Sequence, residues 1–495
     1  MALPMASTPT LSKVCLTVLF LFLSISSSAI SHGLNHNPAN ASYLHSNAQK
    51  LIRSLNLFPE ESINIIEDDH AGFVPGQIVE KKFSFLGRSG PPVENLGHHA
   101  GYYSLPHSKA ARMFYFFFES RKNKNDPVVI WLTGGPGCGS ELAMFYENGP
   151  FHITKNLSLT WNDYGWDLAS NIIFVDQPTG TGFSYSSDDS DIRHDEAGVS
   201  NDLYDFLQEF FKAHRNFVKN DFYIFGESYA GHYVPALASQ INRANKQKRG
   251  IHINLKGLAI GNGFTNPAIQ YAAFPDFALQ SRIITEAQYD DVRKLVPLCE
   301  RSIKNCGEES CPEALDICEG IFGRIMFFAG HINYYDIRKK CGGGNMCYNF
   351  ANVEMLLNMV KVKSGLGVKD GFRYNLCSVK VQAAMLRDML RNLDVGIPGL
   401  LEDGIKVLVY AGVKDLICNW LGNSRWVDGM KWSGQKGFGK SPVRIFMVDG
   451  ELAGSLRSHG PLSFLKVYEA GHLVPMDQPK VSLQMFKRWM GGKMT

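Results

Sequence analysis

Six short apolar runs recur along this chain, at residues 128–132, 171–175, 221–225, 255–260, 406–410 and 462–468, separated by helix-length segments such as 196–213 and 229–245. Strands that are apolar without alternation are buried on both faces, and the helices between them supply the crossovers that parallel strands require. The pattern predicts an α/β fold with a mostly parallel, doubly wound sheet covered on both sides. Two further strand-like runs, at 101–103 and 113–119, read as a hairpin before it. One interval breaks the alternation. The stretch from Gly263 to Ile405 is too long for a crossover and reads as a cap, inserted between the strands near Ile260 and Lys406 and lying over the carboxyl ends of the strands.

The third run leads directly into Gly226-Glu227-Ser228-Tyr229-Ala230 and then into a helical segment. A strand running into Gly-x-Ser-x-small and a helix has the form of a nucleophile elbow, whose tight turn demands small residues on either side of the serine. Gly226 meets that demand, and Ala230 meets it with a departure from the strict second glycine. In a doubly wound hydrolase the partners follow in the order acid, then histidine. Asp415 lies just beyond the strand at 406–410 and His472 just beyond the strand at 462–468, both at carboxyl ends of strands. Gly231-His232-Tyr233-Val234-Pro235 echoes Gly471-His472-Leu473-Val474-Pro475, so pattern alone offers two histidines. His232 falls on the elbow helix, which runs away from the site, and reads as a packed core residue. His472 is the expected base.

An oxyanion hole needs the backbone N–H after the nucleophile, that of Tyr229, and a second from the loop after an earlier strand. Thr133-Gly134-Gly135-Pro136-Gly137-Cys138-Gly139 is such a loop. It lacks the Gly-Lys-Ser/Thr ending of a phosphate-binding loop, which sets that reading aside. The carboxyl of Glu227, adjacent to the nucleophile, exceeds what simple ester hydrolysis requires.

Lys13, the apolar run 14–25 and the small residues 26–29 have the shape of a secretory signal peptide, predicting residues 1–29 as a leader. The run is too short to span a bilayer, and no other stretch qualifies, so no membrane segment is expected in the mature form. Residues 30–92 are weakly patterned, apart from a short amphipathic stretch at 47–57, and read as a pro-segment or N-terminal arm. The α/β core is then expected at 93–263 and 405–495, with the cap at 264–404. The destination is the secretory pathway, extracellular or vacuolar; the Met494-Thr495 end carries no ER-retention signal. Of ten cysteines, Cys15 leaves with the leader, and the remaining odd number leaves one thiol free in an oxidising compartment. Cys299, Cys306, Cys311 and Cys318 crowd together with spacings that fit no zinc module and with no histidine among them, so disulfides are expected and a metal is not. Asn156-Leu157-Ser158 and Asn40-Ala41-Ser42 are glycosylation acceptors. A net charge of +3 gives no support for a nucleic-acid partner, and the basic string 242–250 reads as a solvated helix end.

Taken together, the strings WLTGGPGCGSELAMFYENGPF, WDLASNIIFVDQPTGTGFSY, FGESYAGHYVPALA, GLAIGNGFTNP, YYDIRKKCGGGNMCY, VYAGVKDLICNWLGN and AGHLVPMDQP resemble the serine carboxypeptidase family, its plant branch in particular, from about Gly97 to about Trp489. The resemblance implies the α/β-hydrolase fold, a triad of Ser228, Asp415 and His472, and an oxyanion hole from Gly135 and Tyr229. It implies a clamp for the substrate's terminal carboxylate from Glu147, Glu227, Thr133 and Gly134. Where the family usually has asparagine, Thr133 keeps a donor on a shorter side chain. Tyr146, Tyr335, Tyr348, Cys418 and Leu473 are expected to shape the specificity pockets, with Leu473 standing where relatives often have methionine and Cys418 matching a cysteine that stays free. The implied disulfides are Cys138–Cys377, Cys299–Cys318, Cys306–Cys311 and Cys341–Cys347.

By the same resemblance the activity is release of single residues from peptide and protein C-termini through an acyl-enzyme, with no cofactor. Two carboxyl groups facing a third on the substrate cannot all ionise, so at least one must hold a proton, which predicts an acidic optimum for peptides. Plant relatives also include acyltransferases that use acyl-sugar donors and commonly carry aspartate in place of Glu227. Retention of glutamate here favours the peptidase. A catalytically silent binding protein is disfavoured, because every member of the triad is present. Oligomeric state is not readable from these motifs.

Overall fold

The structure is a computed structural model that describes residues 73–85, 97–306, 311–342 and 346–494. The expected leader, the stretch 47–57 and the Asn40 acceptor lie outside the described residues. The strands, in chain order, are β1 (Ile78–Lys82), β2 (His98–Ser104), β3 (Arg112–Phe118), β4 (Val128–Leu132), β5 (Phe151–Ile153), β6 (Leu159–Trp161), β7 (Asn171–Val175), β8 (Phe222–Glu227), β9 (Leu255–Gly261), β10 (Lys406–Gly412), β11 (Arg444–Val448), β12 (Glu451–His459) and β13 (Leu462–Val467). Eleven of them form one sheet in the order β1-β2-β3-β7-β4-β8-β9-β10-β13-β12-β11, and β5 pairs with β6 separately. The six central strands, β7 to β13 in that order, are parallel, and antiparallel strands flank them on both sides. This is the α/β-hydrolase architecture.

The uninterrupted apolar runs end up central because both of their faces are covered. Along β4, Val128, Ile130 and Leu132 enter one core while Val129 and Trp131 enter the other. The helix Glu196–Ala213 starts where the Asp195 carboxylate accepts the Gly198 N–H at 2.8 Å, and it buries Val199, Leu203, Phe206, Leu207 and Phe210 at helical spacing. With the helix Ala230–Lys246 it covers the first core, and the helix Pro479–Met490 helps cover the second. Between β9 and β10 the described residues form helices, from Pro267–Gln280 to Ile397–Glu402, joined by irregular segments. Among the described residues no helix is long and apolar enough to cross a membrane.

Two regions differ from the sequence reading. Among the described residues regular structure is already present at β1, inside the stretch read as an arm and ahead of residue 101: β1 pairs antiparallel with β2 over Ile78↔Tyr103 to Lys82↔His99, and Phe83 is buried against Phe116 and Phe118. Its Glu-Lys-Lys composition hid it, because an edge strand is half exposed and its inward position is filled by a carboxyl group. The β11–β12 hairpin is a second omission: Phe446 and Val448 are buried while Ile445 and Met447 are exposed, so apolar residues on both faces erase the alternation that marks a half-buried strand. Four disulfides join Cys138 to Cys377, Cys299 to Cys318, Cys306 to Cys311 and Cys341 to Cys347, and Cys418 is a free, buried thiol. Asn156 is exposed between β5 and β6.

Candidate active site

Five neighbouring parallel strands, β4, β8, β9, β10 and β13, end at one rim of the sheet, and their register decides what meets there. Leu132 is level with Gly226, Glu227 with Gly261, and Gly261 with Tyr410. The residues just past these ends are Thr133, Ser228, Asn262, Asp415 and His472.

Ser228 sits at φ 65°, a left-handed conformation that costs a residue with a Cβ and persists only where the surroundings enforce it. Here they do. Its N–H donates to the Gly261 carbonyl at 3.1 Å, and its own carbonyl accepts from Gly231 and Phe264, both at 2.9 Å. Gly226 is required beneath the turn, since a Cβ there would stand 2.7 Å from both the Leu132 carbonyl and the Ala230 methyl.

His472 is held from two sides. Its backbone N–H donates to the Tyr335 carbonyl at 2.7 Å, and its Nδ1 lies 2.8 Å from Asp415 Oδ2. A carboxylate only accepts, so Nδ1 carries the proton and Nε2 is left as the base. Asp415, fully buried, is fixed in turn by Asn262 Nδ2 at 2.8 Å and by the Cys418 N–H at 3.3 Å. Asn262 escaped the sequence reading because an asparagine in a Gly-Asn-Gly loop carries no periodic signal. His232 stands apart: fully buried, it donates from Nδ1 to the Phe264 carbonyl at 2.6 Å and stacks on Tyr229. Burial pushes its pKa down to about 4.

The loop after β4 presses on the elbow. A Cβ on Gly134 would fall 2.5 Å from the Tyr229 amide nitrogen and 2.8 Å from the Ser228 Cβ, so only glycine allows the two backbones to approach. Gly135, at φ 118°, follows, and the Cys138–Cys377 disulfide anchors the far end of the loop. The Tyr229 ring is set by its hydroxyl, which donates to Asp388 Oδ2 at 3.3 Å. Asp388, from the segment between β9 and β10, is a second residue without a sequence signal.

Glu147 and Glu227 are buried, and Glu147 Oε1 and Oε2 and Glu227 Oε2 have no hydrogen-bond partner elsewhere in the protein. The two carboxyls nonetheless lie close enough to act on each other. Burial pushes Glu147 up to about 8, with the charge of Asp477 adding to it. Burial also raises Glu227 well above the glutamate range, and the Glu147 charge raises it further. A hydrogen bond between the two carboxyls raises Glu227 and lowers Glu147, so the pair shares protons with each other and leaves its remaining hydrogen-bonding capacity unused by the rest of the protein. Nearby, the Trp131 indole donates to Thr133 Oγ1 at 3.0 Å, which occupies an acceptor position and frees the hydroxyl proton to point elsewhere.

Among the expected pocket residues, Tyr335 packs 4.9 Å from the His472 ring and 6.2 Å from Tyr348. Phe350 links Tyr348 to Tyr146 and completes an aromatic row that had not been expected. Leu473 and Cys418 are both buried. Burial pushes the Cys418 thiol well up, and the charge of Asp415 adds to this. Asp415, Cys418 and His472 offer ligand atoms within 4.8 Å of one another, but the base and its orienting acid are both among them.

The family model described as "Serine carboxypeptidase" matches residues 89–492. The chain is 60% identical over 453 residues to serine carboxypeptidase-like 49 of Arabidopsis thaliana, covering 90% of this chain and 87% of that one. It is 57% identical over 481 residues to serine carboxypeptidase 3 of Oryza sativa subsp. japonica, covering 97% and 95%. Among solved structures it is similar to Kex1, a prohormone-processing carboxypeptidase from Saccharomyces cerevisiae, with a TM-score of 0.74 at 27% identity, covering 82% of this chain and 93% of that one.

Proposed function

The chain belongs to the serine carboxypeptidase family, and from that premise we propose that it removes single residues from the C-termini of peptides and proteins, most readily at acidic pH. Ser228 Oγ attacks the last peptide carbonyl while His472 Nε2 takes its proton and Asp415 steadies the resulting imidazolium. The N–H groups of Gly135 and Tyr229 receive the oxyanion. His472 then protonates the leaving amino acid, and water, activated by the same base, frees the acyl-enzyme at Ser228.

One observation carries the choice of exopeptidase over other acyl chemistry: the buried, unpartnered carboxyl pair Glu147 and Glu227, the latter adjoining the nucleophile. Protonated carboxyls, helped by Thr133 and the Gly134 backbone, donate hydrogen bonds to a terminal carboxylate that no other charge would neutralise. A peptide entering tail first places its final bond at Ser228. The row Tyr146, Phe350, Tyr348 and Tyr335, with Leu473 and Cys418, supports pockets that favour apolar side chains. The core at 93–263 and 405–495 with the inserted region 264–404, secretion with delivery outside the cell or to the vacuole, and glycan attachment at Asn156 complete the reading.

The test supplies a blocked dipeptide and an acyl-glucose with a small alcohol in parallel. Release of the free C-terminal amino acid with no transfer product is expected. Acyl transfer without release would make the chain an acyltransferase instead.

A further inference from the structure

Five strands from the elbow, at the edge of the sheet, a second group of chemistry-bearing side chains takes no part in the reaction above. Glu80 on β1 reaches two imidazoles at once: Oε1 lies 3.0 Å from His99 Nδ1 on β2, and Oε2 lies 3.0 Å from Nε2 of His214, the residue that ends the helix Glu196–Ala213. One atom from each residue can be chosen so that all three lie within 4.8 Å of one another. The two imidazole rings stand 5.2 Å apart, centre to centre, and nearly perpendicular. Two imidazoles bound at about 2.0–2.1 Å to one tetrahedral ion hold their ring centres about 5 Å apart, so the rings need little movement to share one.

The surroundings fit the same purpose. Tyr115 Oη donates to Glu80 Oε2 at 2.5 Å and fixes the carboxylate. His99 Nε2 is buried without a hydrogen-bond partner and faces Glu119 Oε1 at 3.8 Å, a few tenths of an ångström outside hydrogen-bond reach, on the side from which a carboxylate orients a metal-bound histidine. Glu80 and Glu119 together supply two negative charges, although Lys124 Nζ, 2.8 Å from Glu119, offsets part of one. Both imidazoles are nine-tenths buried, whereas the Glu80 side chain is 21% exposed, which leaves one side open to solvent. A single carboxylate beside two nitrogens is a poor set for calcium or magnesium, which need mainly oxygen, and a good one for zinc.

We propose that Glu80, His99 and His214 bind one divalent transition cation, zinc by ligand type, with water in the fourth position, and that the ion fastens β1 to β2 and to the end of the helix Glu196–Ala213. In the ion-free protein the same atoms share protons. The site is structural and separate from Ser228.

The test uses the full-length protein, stripped with a chelator and held at pH 7. Calorimetric titration with ZnCl2 is expected to give one site per chain. The melting temperature should rise by about 3 °C at a hundredfold excess over Kd, with no response to MgCl2. CoCl2 should produce the visible absorption of four-coordinate cobalt in the unaltered protein, a readout independent of any variant. Glu80→Gln and His214→Gln should each abolish the zinc-dependent shift while hydrolysis of the blocked dipeptide continues. Absence of stoichiometric zinc would overturn the proposal and leave a hydrogen-bonded clasp. So would zinc binding that survives in both variants, which would put the ion elsewhere, for instance at Asp415, Cys418 and His472.

Discussion

Replacing Glu227 with glutamine removes one titrating group from the buried pair and leaves a neutral donor of nearly the same shape. In the native protein both carboxyls are pushed upward, Glu147 to about 8 from an ordinary value of 4.5, chiefly by burial. A group whose folded pKa is raised holds its proton more tightly in the folded state. Its contribution to stability is therefore full below 4.5, declines as the pH rises, and is gone above about 8. At roughly 1.4 kcal/mol per pKa unit, the loss across that window is on the order of a few kcal/mol. Activity should follow the same window. A hydrogen bond to a charged group contributes about 1.5–3 kcal/mol, which corresponds to about 10- to 100-fold in kcat/KM for substrates that carry a free carboxylate. The assay compares a blocked dipeptide with the matching C-terminally amidated peptide from pH 4.5 to pH 9, alongside thermal melting. The native protein should lose its preference for the free carboxylate, and several degrees of melting temperature, as the pH approaches 8. Glu227→Gln should start about tenfold lower on the dipeptide at pH 5 and decline less. A dipeptide-to-amide ratio that stays flat with pH in the native protein, or a profile unchanged by the substitution, would refute the argument.

Three further outcomes follow from the site and its scaffold. Asp415→Asn should lower kcat by roughly 10⁴-fold with little change in KM for the blocked dipeptide, because a neutral amide beside His472 Nδ1 no longer stabilises the imidazolium that forms there. Gly226→Val should fail to accumulate as folded protein, as judged by soluble yield and circular dichroism, since even a methyl would stand 2.7 Å from the Leu132 carbonyl. Cys418, buried with its thiol pushed well up by burial, should resist iodoacetamide at pH 7 in the native protein and react promptly after denaturation, as read by intact mass.

What could be read in advance divides along physical lines. The central strands were visible because burial on both faces leaves no choice but continuous apolar residues, as in Val128–Leu132 and Asn171–Val175. The positions of Asp415 and His472 followed from chain order, because a strand's carboxyl end is fixed once the strand is found. Edge strands obey a weaker rule. In β1 the inward residue is Glu80, partnered by histidines distant in sequence, and no local pattern can announce a carboxyl whose partners lie 19 and 134 residues away. Asn262 and Asp388 were invisible for the same reason: each acts on a group supplied by another segment, Asp415 in one case and Tyr229 in the other. The aromatic row was half visible. Tyr348 and Tyr146 were expected, yet Phe350, which joins them, depended on how the inserted region packs.

The order of the parts has a consequence for how the protein is made. The elbow on β8 is translated before the helices between β9 and β10, whereas Asp415 and His472 come after them. A chain emerging from the ribosome displays the serine while its base does not yet exist, and the sheet beside β9 is still an open edge awaiting β10 and β13. N-terminal portions fold first during synthesis. The proposed chemistry is thus withheld until the last parallel strand docks, and a chain that stops between Ser228 and His472 bears the nucleophile without the base that would fire it.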